Sequence, residues 1–125
     1  MDARYTRLFA DENGESCFED LTVELRQAFS VEGVPPVASA PFLPSEGTFW
    51  VGATTAWNGE KLHPAPRRFI LIEVSGEYAV TTSQGVTRNF GPGSVLLVED
   101  TTGKGHSTRT IRDGVGFCVG LPDLS

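Results

Sequence analysis

The sequence predicts an all-β domain, an antiparallel sandwich or barrel. Three observations predict it. About nine short runs rich in β-branched, aromatic and aliphatic residues recur at close to ten-residue spacing. Turn residues bracket the runs and account for the 14 glycines and eight prolines of the chain. Helical periodicity is confined to one turn over Glu24 to Phe29, which Gly33, Pro35 and Pro36 stop.

In chain order, Arg4 to Ala10 reads as a first strand and Ser16 to Leu25 as a second, joined by the turn Asp11-Glu12-Asn13-Gly14. Val31 to Gly47, with Pro41 and Pro44, reads as an extended, irregular crossing. Thr48 to Thr55 is the next strand, and Trp57 to Lys61 turns toward His63. Pro64 and Pro66 force an extended approach to the apolar strand Phe69 to Val74, which Glu73 interrupts. Tyr78 to Thr82, Val86 to Phe90 and Val95 to Val98 follow, separated by Gly76-Glu77, Ser83-Gln84-Gly85 and Gly91-Pro92-Gly93. Ser107 to Ile111 and Val115 to Leu121 complete the set.

A chain of 125 residues is one domain, 1–125, by the usual size range. Ten Lys and Arg against 16 Asp and Glu give a net charge of −6, which argues against nucleic acid as a partner because phosphate neutralisation needs clustered cations. Met1 to Tyr5 lacks the apolar stretch of a signal peptide, and no run reaches the length of a membrane span, so a cytoplasmic protein without membrane contact is expected. Cys17 and Cys118 are not in metal or redox spacing. Free core thiols are the favoured reading, with a disulfide open if the terminal strands are neighbours.

The stretches 62–77 and 90–109 carry the motifs. Pro92 and Gly93 form a turn, Val95 to Val98 an apolar strand, and His106 precedes the return strand. This arrangement resembles the second motif of the cupin superfamily. In the first motif, His63 holds the first histidine position, Ala65 the second, and Phe69, seven residues before Gly76, the usual glutamate position. The chain is also similar to a group of short bacterial cupins. The resemblance implies a cupin-type antiparallel jelly-roll barrel (a double-stranded β-helix) with a degenerate first motif. It implies a small-molecule pocket but does not select a chemistry, since one fold hosts many.

Alternation gives a site independently. His106, Thr108 and Thr110 share one strand face, and His63, Ala65, Phe69, Leu71 and Glu73 share another. Two histidines converging at one barrel mouth make an acid/base or metal pocket. His106 and His63 are therefore the candidate catalytic residues. Arg67, Phe69, Glu73, Trp50 and Trp57 are candidate substrate-binding residues: Arg67 as an anion fork, the tryptophans as stacking platforms. Arg67 and Arg68 are more simply read as ion-pair partners of Glu99 or Asp100. His63 and His106 could hold iron, nickel, manganese or zinc, but a firm site needs three or four ligands. Glu73, Glu60 or Asp100 would have to supply a third, and a pocket without metal is favoured. The leading expectation is an enzyme of lyase, isomerase or cyclase type with His106 as general acid/base. A metal-dependent oxygenase or isomerase and a non-catalytic metabolite-binding or sensing module are the alternatives. Apolar residues on both faces of strand 69–74 predict a homodimer.

Overall fold

A computed structural model describes residues 1–124, and their side chains except those of 27–30. The chain is all-β. Its strands are β1 (Asp2–Ala10), β2 (Ser16–Glu24), β3 (Arg26–Val31), β4 (Val34–Ser39), β5 (Thr48–Ala53), β6 (Phe69–Glu73), β7 (Glu77–Thr81), β8 (Thr87–Phe90), β9 (Val95–Val98), β10 (Ser107–Arg112) and β11 (Gly114–Gly120). No helix of the described residues is long and apolar enough to cross a membrane.

Six strands form one sheet in the order β2-β1-β9-β6-β11-β5, and three form a second in the order β10-β7-β8. Neither sheet closes on itself. Pairing is antiparallel except between β1 and β9, which run parallel. Two isolated bridges, Asn58 to Arg109 and His63 to His106, fasten the segment after β5 along β10.

The pleat decides which residues meet between the sheets. Leu8, Leu96 and Val98 of the large sheet pack with Tyr78, Val80 and Phe90 of the small one, and Phe18, Phe69 and Leu71 close around them. Tyr78 and Phe90 stack with centroids 5.2 Å apart. The intervening residues of β6 and β9 face the other way. Ile70 and Leu97 build a second cluster there with Leu121, against which Leu43, Tyr5, Ile72, Val95 and Val119 pack. Both faces of the two central strands are thus buried, which is why Phe69 to Ile72 and Val95 to Val98 are unbroken apolar runs. The outer face of β6, expected to need a second copy of the chain, is met by Leu43 of the chain's own crossing segment.

One expected region folds differently. The stretch assigned to a helical turn and the first part of the irregular crossing is a hairpin, β3–β4, forming a separate two-stranded sheet, while 40–47 are irregular as expected. Its two-residue turn, Glu32-Gly33, places Gly33 at a φ of 81°, where a Cβ would be strained. Pro35 and Pro36 are tolerated because β4 pairs along one edge only. The cysteines are both free. Burial, and then the charge of Glu73, pushes the Cys118 thiol up to about 11.

A charged cluster ties the sheet to the chain's end. Glu99 lies between Arg7, whose Nε donates at 2.6 Å, and Arg68, whose Nε donates at 2.8 Å. Arg68 also donates to the carbonyl of Pro122 at 2.5 Å. Burial alone would raise the Glu99 carboxyl, but the hydrogen bonds from Arg7 and Arg68 outweigh it and hold the group below its ordinary value of 4.5. A carboxylate held low contributes stability that is present above that value and lost as pH falls through the folded one. Replacing Glu99→Gln is expected to cost about 2 kcal/mol at pH 7, because the buried Arg68 guanidinium loses its counter-charge while Arg7 keeps Glu19. In urea unfolding across pH, the wild type should lose stability below about pH 4.5 more steeply than Glu99→Gln.

Candidate functional site

Between the sheets lies a cavity of about 350 Å³. One wall is apolar: Phe69 and Leu71 from β6, Leu96 and Val98 from β9. The facing wall is β10, whose inward positions His106, Thr108 and Thr110 follow the pleat, with Tyr78 and Val80 of β7 beside them. Glu73 closes one end, with Arg112 and Glu77 beyond it, and His63 joins His106 at the other.

The histidine end depends on close backbone approach. His63 and His106 exchange both backbone hydrogen bonds, N–H to O at 2.9 and 3.0 Å. Their rings lie 5.2 Å apart between centroids. Gly105 makes the approach feasible. It has a φ of 76°, and a Cβ placed there would lie 2.1 Å from the carbonyl carbon of His63. Only glycine satisfies both demands.

His106 is buried, and its Nδ1 lies 2.5 Å from Oδ2 of Asp100, which is fully buried. A carboxylate accepts, so Nδ1–H donates and Nε2 is left for a pocket ligand. The backbone carbonyl of Asp100 also accepts from Ala65 N–H at 3.0 Å. One residue therefore holds His106 and anchors the segment carrying His63. The Nδ1–H of His63 donates to the carbonyl of Pro64 at 3.1 Å, so its Nε2 carries a lone pair. Among the described residues that Nε2 and the Thr110 hydroxyl have no hydrogen-bond partner, while the Tyr78 hydroxyl lies beside the Ser94 side chain; Tyr78 and Thr110 are each only 6% exposed. Burial, and then the charge of Glu73, pushes the Tyr78 phenol far up, so it stays protonated.

Of the residues nominated from sequence, His63, His106, Phe69, Glu73 and Trp57 line this cavity. Trp57 stands at the mouth with its ring edge-on to His63 at 6.2 Å. Trp50 does not line it. It is 65% exposed on the outer face of β5 and packs edge-on to Phe117 at 4.9 Å. Arg67 does not line it either, lying over the Phe49 ring at 5.8 Å. The alternation that nominated Arg67 assumes a continuous strand from His63, whereas β6 begins only at Phe69 and the chain bends at Pro66 and Arg67. Arg68 is turned inward instead, onto Glu99. Sequence reasoning gave no role to Asp100 beyond a spare ligand or ion-pair partner, and none to Tyr78. Alternation within 78–82 would have placed Tyr78 with Val80.

The metal fit is poor. Two imidazoles converge, but Asp100 is committed to His106, and no cluster of three His, Cys, Asp or Glu side chains that could hold a metal occurs among the described residues. Two donors fall short of a firm transition-metal site. Compared with known proteins, the chain matches no family model and no curated sequence.

Two outcomes follow. Gly105→Ala is expected to lower unfolding free energy by at least about 2 kcal/mol in chemical denaturation, combining left-handed strain with the clash against His63. Elemental analysis of untagged protein is expected to find less than stoichiometric transition metal. One metal per chain, lost in both His63→Ala and His106→Ala, would reverse this assignment.

Proposed function

We propose that the chain is a small cupin-type protein, its two facing sheets forming a jelly roll, and that it is an enzyme of lyase, isomerase or cyclase type acting on a small organic molecule. The observation that carries this reading is the buried Asp100–His106 pair opening onto an apolar cavity. Desolvated surroundings strengthen such a pair and suit proton transfer. His106 Nε2 takes a proton from the substrate. Asp100, accepting from Nδ1, stabilises the imidazolium that results and keeps the ring oriented. His63 Nε2 accepts a hydrogen bond from a substrate hydroxyl or amine and positions it beside His106. The apolar wall of Leu71, Leu96 and Val98 excludes water from the reacting atoms.

A homodimer is part of the same proposal. Its support is now the free edge of β5 with exposed Trp50, since an uncovered apolar edge strand invites pairing. Sedimentation of the wild type beside Trp50→Glu tests it, a dimer dissociated by the substitution being expected.

For the chemistry, metabolites that raise the melting temperature would be tested for turnover. His106→Gln and Asp100→Asn are expected to reduce turnover about 10²- to 10⁴-fold while binding changes little. Binding without any turnover that depends on His106 would instead make the chain a metabolite-binding module.

A further inference from the structure

The end of the cavity remote from the histidines carries a carboxylate. Glu73 is buried, and one carboxylate oxygen, Oε1, accepts the Gly76 backbone N–H at 3.2 Å. It forms no ion pair with any Lys or Arg among the described residues. Tyr78 and Thr110 are direct cross-strand partners, so their side chains emerge side by side on the cavity face. Both hydroxyl oxygens are themselves covered, the Tyr78 one beside the Ser94 side chain, so the Glu73 carboxylate is the polar group this end offers to a ligand. The one Arg or Lys among the lining residues, Arg112, is exposed at the mouth and faces Glu77 at 3.7 Å.

A buried carboxylate without a counter-charge is costly, and unpaired buried hydroxyls add to that cost. A ligand supplying positive charge removes the first of these costs. A ligand carboxylate or phosphate at this place would face Glu73 across a low-dielectric space. The field there is felt by its neighbours: the charge of Glu73 contributes to raising both the Tyr78 phenol and the Cys118 thiol. The cavity is also lined by the rings of Phe69, Tyr78 and Trp57, whose faces attract cations.

We infer that the cavity selects an apolar-bodied amine, its ammonium group held by the Glu73 carboxylate and its body lying along the Leu71–Leu96–Val98 wall toward the histidines. This rests on the cavity being the functional site and names the substrate class for it. His106, just before β10, is four residues from Thr110 at the Glu73 end, so the ammonium and the atoms presented to His106 are separated by roughly 13 Å of extended chain.

A matched trio tests the inference by calorimetry at pH 7.5: 2-phenylethylamine, 2-phenylethanol and 3-phenylpropionate. The amine is expected to bind at least tenfold more tightly than the alcohol, and the carboxylate not measurably. Glu73→Gln keeps the acceptor for Gly76 N–H and removes the charge. It is expected to weaken the amine at least tenfold and leave the alcohol within about twofold. Carboxylate binding as tight as the amine, an amine-to-alcohol ratio unchanged by Glu73→Gln, or no binding of any of the three overturns the inference. Amine binding that depends on Glu73 with no turnover depending on His106 would keep the ligand class and discard the acid–base reading. Turnover depending on His106 for ligands indifferent to Glu73 would do the reverse.

Discussion

The Asp100 carboxylate governs the rest of the site. It has no exposure to solvent and a single side-chain hydrogen bond, to His106. Removing a carboxylate from water costs several kcal/mol unless a partner compensates, so His106 is bound into the fold as well as presented to the cavity. The same residue's carbonyl fastens Ala65. The loop 101–105 must therefore return the chain to His63 over a short distance, and Gly105 is the residue that allows it. The Asp100–His106 pair, the loop and the approach of two distant segments form one unit.

Around that unit the apolar strands supply rigidity. β6 and β9 are buried on both faces, one against the small sheet and one beneath Leu43 and Tyr5. The cavity wall is thus the inner surface of a fully covered layer. Glu99, at the end of β9, sits between Arg7 and Arg68 and fixes the same layer to the first strand and to the chain end at Pro122. Asp100, one residue further on, inherits its position from this anchoring.

Much of this was legible in the sequence. Continuous apolar runs at Phe69 to Ile72 and Val95 to Val98 mark strands covered on both faces, and the turn glycines set most strand limits within two residues. Alternation placed Phe69, Leu71, Glu73, Thr108 and Thr110 on the cavity side with both histidines. It failed where the backbone is not a strand: Pro64 and Pro66 bend the approach, and Arg67 swings outward while Arg68 turns in. The β3–β4 hairpin was hidden because Gly33, Pro35 and Pro36 read as the stop of a helical turn and Pro41 and Pro44 as an irregular crossing, although the two-residue turn Glu32-Gly33 permits pairing. Asp100 was hidden for a different reason. Its partner lies across a loop with no periodicity, and no pattern within the sequence reports that a carboxylate six residues before a histidine turns back to meet it.

The two cavity walls divide their labour by sheet. Apart from Glu73, the large sheet contributes hydrocarbon, while His106, Thr108, Thr110 and Tyr78 stand on the small sheet. Exchanges among Leu71, Leu96 and Val98 reshape the space without disturbing a single hydrogen-bonding group opposite. Such a division lets mutation alter which molecules fit while leaving the reactive groups in register. A scaffold of this kind can drift between related ligands in small steps, and an engineer could vary its wall as an independent module.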